Sequence, residues 1–327
     1  MERTGKLPEG KKDNNPTAPW IELPLDMTEN ILRRLGQVEI LQNAQNVCTT
    51  WRSVCSDPSL WRVIDLKGFG DDHELLFNPD IICRRAVYHS QGELTDLNIE
   101  FLGTDDLLHY ISQRSSHLKR LRLGCCDCIS SKGLTAAVKK FPELEELHLF
   151  FMPHITAKDI EAIGISCPKL KFFTFNTRSF RIRRVGRDDS YAIAIAKTMP
   201  NLRHLRLFGN KLTNTGMIAL FGGCPNLESL DLRQCFNIIF RGSGGKVCSS
   251  VARVCSERLK YLRYPMDSTA DYEWDDRIYG IDYLYNRSSQ KHADFKNPLN
   301  DLPFPANLDW YVKDDYVFDL GLDAWLY

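Results

Sequence analysis

The chain has 327 residues, 43% of them apolar, which suits roughly two folded units with a sizeable core and excludes wholesale disorder. Its 42 basic and 42 acidic residues cancel, so no overall basic character draws it to nucleic acid. No stretch reaches the roughly 18 apolar residues that span a bilayer, and the first twenty residues lack the apolar core of a secretory signal.

Residues 1–19 are polar and proline-containing and read as a disordered leader. The segment "LPLDMTENILRRLG" follows. Pro24 suits a helix start, because its missing amide is no loss there, and Thr28 is a second candidate cap. Ile31, Leu32 and Leu35 recur at helical spacing. In "VEILQNAQNVCTTWRSVC" the residues Ile40, Leu41, Ala44, Val47, Cys48 and Trp51 are expected on one helical stripe, which Asp57-Pro58 ends. A helical module of about 45 residues is short for a complete core and is expected to finish itself on a partner.

From Leu94 the period changes. The frame Leu-x-x-Leu-x-Leu recurs from residues 94, 118, 144, 170, 202 and 227, with a weaker copy from 259. Successive starts lie 24, 26, 26, 32, 25 and 32 residues apart, the signature of leucine-rich repeats. Each frame predicts a short strand with inward leucines, and each return segment a helix. Ser130, Thr156 and Thr213 stand where N-caps are wanted, and prolines at 142, 168, 200 and 225 end the return segments. One repeat cannot bury its leucines, so the units are expected to stack into a curved solenoid, strands concave and helices convex. Two insertions map to its rim: one carries Arg178, Arg181, Arg183, Arg184 and Arg187, the other is "FRGSGGK" from Phe240. Residues 265–327 lose the repeat and form an acidic aromatic tail, which from Asp301 holds six aspartates, one lysine and seven aromatics and is expected to lie back on the repeats.

Eleven cysteines, an odd number in a chain without a signal, imply reduced thiols in nucleus or cytoplasm rather than disulfides. "GCCDCIS" has no second cysteine pair nearby, so a zinc site is not expected. Cys126, Asn210 and Cys235 each take the ninth place of their repeat, where a small polar or thiol side chain fills the turn after the strand. Cys167 and Cys224 hold equivalent places before a proline. "GSGGK" lacks the flanking residues of a phosphate loop, since Phe240 and Val247 occupy the required positions. No metal, cofactor or catalytic residue is assigned.

Residues 20–66 resemble the F-box, the helical motif that docks on a Skp-family adaptor in cullin-based ubiquitin ligases. The resemblance rests on Leu23-Pro24, Ile31-Leu32, Leu35, Val47-Cys48, Trp51-Arg52 and Leu60-Trp61. It implies that these eleven residues contact the adaptor, and through it a cullin. Together with the repeats at 67–264, the chain looks like plant F-box proteins with leucine-rich repeats, α/β in class. The family's role implies a non-catalytic receptor whose concave face holds a client for ubiquitination. On that face the frame places Arg120, Arg122, His148, His204 and Arg206, with Phe150, Phe208 and Arg233 one step further out. Phe150 and Phe208 exposed beside arginines would make an interaction surface. Two alternatives remain: a repeat scaffold outside any ligase, and an RNA binder using the arginine insert with Phe180.

Overall fold

A computed structural model describes residues 23–67, 78–177, 186–240 and 249–271. Three short helices open it: α1 (Leu25–Leu32), α2 (Gln37–Gln42) and α3 (Thr49–Cys55). Eight strands follow, β1 (Val63–Leu66), β2 (Asp96–Glu100), β3 (Arg120–Gly124), β4 (Glu146–Phe150), β5 (Phe172–Asn176), β6 (His204–Arg206), β7 (Ser229–Asp231) and β8 (Tyr261–Arg263). They form one parallel sheet in chain order. Helices return the chain between strands: α4 (Pro79–His89), α5 (Asp105–Ser112), α6 (Ser131–Val138), α7 (Ala157–Ser166), α8 (Ser190–Thr198), α9 (Asn214–Gly223) and α10 (Ser249–Arg258).

The frame leucines make the core. Leu97, Leu121, Leu147, Phe173, Leu205 and Leu230 sit in register across the sheet and are all buried. Strand β1 is an unforeseen member. It lies in the span assigned to the F-box, and Ile64 and Leu66 pair with Leu97 and Ile99. Trp61 thereby takes the place that Leu94 holds in the next repeat. "WRVIDL" is a first frame with tryptophan for leucine.

The turn after five of the strands, β2, β3, β4, β6 and β7, is also repeated. Phe101, Cys125, Phe151, Gly209 and Gln234, each eighth in its frame, have φ between 51° and 72°. This left-handed residue bends the chain off the sheet, at a cost for the four that are not glycine. The ninth residue then secures the turn against the repeat before it. Asn210 donates to the Phe175 carbonyl at 2.7 Å, Cys235 to Leu207 at 2.8 Å, and Cys126 more weakly to Ile99 at 3.7 Å. Those carbonyls would otherwise face the core unpaired, so the thiols serve as backbone donors.

The expected caps form. Ser130 Oγ accepts from the Gly133 amide, Thr213 Oγ1 from the Thr215 amide, and Thr156 makes a capping box with Asp159. A second device couples neighbouring helices. The Asp189 carboxylate accepts from the Thr213 amide at 2.7 Å, the Thr213 hydroxyl at 2.8 Å and the Gly216 amide at 3.0 Å. Asp105 holds Ser130 likewise, through its amide at 2.8 Å and its hydroxyl at 2.6 Å. Each acid thus sits at the positive end of the following helix. Glycine is required there: a Cβ on Gly133 would lie 1.9 Å from Asp105 Oδ1.

No helix among the described residues is long and apolar enough to cross a membrane. The leader, Arg178 to Arg184, "GSGGK" and the tail from residue 272 lie outside the described residues.

Candidate functional site

Two surfaces carry the candidate residues. The first is the helical cap. Pro24 precedes α1 in extended conformation, as its ring dictates. Thr28 is not a cap: it is buried within α1, its hydroxyl donating to the Pro24 carbonyl at 3.3 Å. The continuous stripe through Val47 and Cys48 does not form either. A 3-10 turn at Ala44–Asn46 breaks it, and Cys48, extended at φ −162° and ψ 172°, caps α3 by accepting from the Trp51 amide. A thiol in an apolar stripe and a thiol at a cap give the same sequence signal.

The cap divides the expected adaptor residues into two sets. Pro24, Ile31, Val47 and Arg52 are exposed, and Leu23, Leu35, Cys48 and Trp51 are half-buried. Arg52 Nε donates to the Gln45 carbonyl at 3.2 Å, which fixes it beside the 3-10 turn. Leu32, Leu60 and Trp61 are core instead and are not positioned to touch a partner. Leu32 shares the buried face of α1 with Thr28. Trp61 donates from Nε1 to the Cys55 carbonyl at 2.7 Å and stacks on His89 with ring centres 5.0 Å apart. The frame position that Trp61 fills requires this burial. Two exposed residues escaped the sequence reading. Leu25 is 62% and Met27 53% exposed, beside Ile31 at 40% and Val47 at 43%. Met27 and Ile31 lie four apart on one face of α1. An apolar pattern that excluded the buried Thr28 and Leu32 face would have found Met27, whereas Leu25 lies along that buried stripe at its exposed N-terminal end.

The second surface is the concave sheet. Its first half is an ion network. Arg120 donates to Asp96 at 2.5 Å and to Glu146 at 2.7 Å, and Arg122 stands 3.8 Å from Glu100. Hydrogen bonding to His148 and Arg120 holds the Glu146 carboxyl down at about 2. His148 is buried, not solvent-facing as its strand position suggested. Its Nδ1 lies 2.9 Å from the Thr174 hydroxyl, and burial, opposed by Glu146, lowers its pKa. A neutral imidazole accepting from Thr174 and turning its N–H toward Glu146, 3.6 Å away, fits both shifts.

The second half is aromatic and cationic. Phe172 lies between His148 and His204, at 4.9 and 5.3 Å, with Arg206 over its ring. Phe150 and Phe208 are not the exposed anchors expected; they are 2% and 1% exposed. Arg122 lies 4.5 Å over the Phe150 ring and Arg233 5.6 Å over Phe208, so cation and ring cover each other. Arg233 is itself buried, held by Asp231 at 2.8 Å and Asp271 at 2.5 Å. Of the eight concave-face candidates, Arg120 and Arg206 are exposed and Arg122 and His204 half-buried.

An F-box-like family model matches residues 20–67, leucine-rich repeats described as "FBD-associated F-box protein At5g56370, LRR repeats" match 92–188, and a further leucine-rich repeat matches 198–221. The Arabidopsis thaliana protein "F-box protein SKIP19" is 44% identical over 77% of this chain and 79% of its own length. "Putative F-box/LRR-repeat protein 9" of the same plant is 45% identical over 67% of this chain and 89% of its own. The chain belongs to the F-box/LRR-repeat family. A third relative, "Putative F-box/LRR-repeat protein 23", is 46% identical over 76% of this chain and 54% of its own length. In this F-box/LRR-repeat protein the matched F-box span ends on β1, so the last F-box residues are also the first strand of the sheet. Cap and solenoid share one core through Trp61.

Among the described residues, the buried Cys55, Cys126 and Cys167 are structural. Burial pushes the Cys55 thiol up to about 11 and Cys126 and Cys167 up to about 12. Protonated thiols are poor nucleophiles and poor metal ligands. Among the described residues no cluster of histidine, cysteine and carboxylate has the form of a metal site.

Proposed function

We propose that this chain is the client-recognition subunit of a Skp–cullin–F-box ubiquitin ligase. The observation that carries the reading is the exposed apolar pair Met27 and Ile31 on one face of α1, with Leu25 and Val47 also exposed on the cap, in a span matched by the F-box family model. Exposed apolar side chains grouped on a small helical cap mark a protein interface. The F-box match favours a ligase adaptor over a scaffold's partner as the occupant. Trp51 on α3 is half-buried, its indole N–H without a partner among the described residues.

In this reading the cap holds a Skp-family adaptor and, through it, a cullin. The concave sheet faces away from the α4–α10 layer and presents a client. The receptor's contribution is proximity: a client lysine held near the conjugating enzyme's thioester reacts at raised effective concentration, without catalytic groups of the receptor's own. Reduced buried thiols suit a nuclear or cytoplasmic location.

The test is co-purification of the full chain with a recombinant Skp-family adaptor. Wild type is expected to bind. Met27→Glu with Ile31→Glu is expected to abolish binding at unchanged melting temperature, because both side chains already face water. Retention of adaptor at wild-type yield by that variant would overturn the proposal.

A further inference from the structure

Among the described residues the concave face and its outer edge carry five arginines, and the fold neutralises four. Arg120 has Asp96 and Glu146, and Arg122 has Glu100. Arg233 has Asp231 and Asp271, and Arg263 has Asp271. Arg206 is the exception. It is exposed, and among the described residues no carboxylate lies within ion-pair distance of it. It lies 5.2 Å over the half-buried Phe172 ring.

Arg206 also borders a cavity of about 110 Å³, lined further by Phe150, Asn176, Phe208, Asp231, Arg233 and Asp271. The volume decides what enters. Sites for cofactor- or drug-sized ligands run to roughly 300–1,000 Å³, so this one takes the end of a single side chain. The rim shows which chemistry. Asp271, from the segment after β8, already places a carboxylate there, accepting from Arg233 Nη1 at 2.5 Å and Arg263 Nη2 at 3.0 Å. Asp231, the register partner of Arg206 on β7, brings a second carboxylate to the cavity, but it is bound to Arg233 at 2.8 Å, so of the two lining arginines Arg206 is the one without an ion pair among the described residues.

We infer that the concave face takes an acidic segment of the client, with one Asp or Glu side chain entering this cavity to pair with Arg206. The inference rests on the client-receptor reading and supplies its chemistry. A guanidinium partly screened by Phe172 binds a carboxylate more firmly than a fully solvated one. Tyr261, exposed at the sheet's end, and His204 beside Phe172 offer apolar ring surface to residues flanking the acid. The first half of the face, whose cations are already paired, has nothing equivalent to offer.

The experiment measures fluorescence anisotropy of the full chain with a fluorescein-labelled short peptide of alternating glutamate and serine. A twin with glutamine for every glutamate is the control. The acidic peptide is expected to bind at least tenfold more tightly than its twin, and less tightly as salt rises. Arg206→Ala and Arg206→Glu should each lose about tenfold or more, whereas Arg120→Ala should stay within twofold. Melting curves check that the variants fold, which the exposure of Arg206 favours. Equal affinity for the two peptides, or wild-type affinity in Arg206→Ala, would overturn the inference. So would a phosphoserine peptide without glutamate that binds more tightly than the acidic one. The variants' co-purification with adaptor is read in parallel. Adaptor retained with no preference for the acidic peptide sinks this inference and leaves the receptor reading standing.

Discussion

Trp61→Ala separates packing from docking. The ring is fully buried, stacks on His89, and donates to the Cys55 carbonyl at 2.7 Å. Removing a buried tryptophan costs about 3–5 kcal/mol, because neighbours collapse only partly into the space. The Cys55 carbonyl loses its indole donor as well, worth about 1 kcal/mol more. In a repeat protein each unit leans only on its neighbours, so the loss concentrates on α3, β1 and α4. A melting temperature lower by on the order of 10 °C is expected for a domain of this size. Thermal unfolding by circular dichroism, with limited proteolysis between residues 55 and 90, measures both extent and place. Adaptor binding should fall in proportion to the unfolded fraction and recover on cooling. A variant that melts within a degree or two of wild type yet loses the adaptor would show that Trp61 is a contact residue, and the account of the first frame would fail.

Asp189→Ala strips the acceptor from three donors at the start of α9 and should cost about 2 kcal/mol or more in urea unfolding, with an unchanged midpoint as the contrary result. Gly133→Ala should destabilise by roughly 1–3 kcal/mol through its clash with Asp105, and pairing it with Asp105→Ala should reduce the penalty. Glu146, held at about 2 against an ordinary 4.5, contributes stability that is full above 4.5 and lost as pH falls toward 2. The depressed His148 adds to the acid loss below its ordinary 6.5, since the unfolded chain takes up that proton first. Glu146→Gln should therefore flatten the stability profile between pH 4.5 and 2, and a profile identical to wild type would contradict the pairing. Cys126 and Cys167 should resist a thiol reagent at pH 8 in the native chain and react on denaturation; fast native labelling of either would refute their burial.

The solenoid was legible because its leucines recur in a rigid frame, and its caps because Ser130, Thr156 and Thr213 stand at fixed distances from those frames. The first repeat was hidden by one substitution, Trp61 for leucine, although its 33-residue distance from Leu94 matches the longer repeats. Helix continuity in the cap was not legible. Apolar spacing from Ile40 to Trp51 is compatible with one helix, and the break depends on Cys48 adopting extended backbone, which side-chain pattern does not report. Phe150 and Phe208 were misread because each ring is covered by an arginine from the neighbouring repeat, Arg122 on β3 and Arg233 just after β7. The pairing of Arg233 and Arg263 through Asp271, and hence the isolation of Arg206, joins residues whose sequence separation follows no repeat.

The central claim is that this F-box/LRR-repeat protein uses two separate surfaces, an apolar cap for the adaptor and a concave sheet left open for the client. Hydroxyl-radical footprinting of the full chain, with and without a Skp-family adaptor, tests it directly by reading side-chain exposure. The account predicts that oxidation of Leu25, Met27 and Ile31 falls sharply when adaptor binds, while Tyr261 and Met266 at the far end of the sheet stay as reactive as before. Unchanged oxidation of Met27 in a confirmed complex, or protection of Tyr261 in its place, would contradict it.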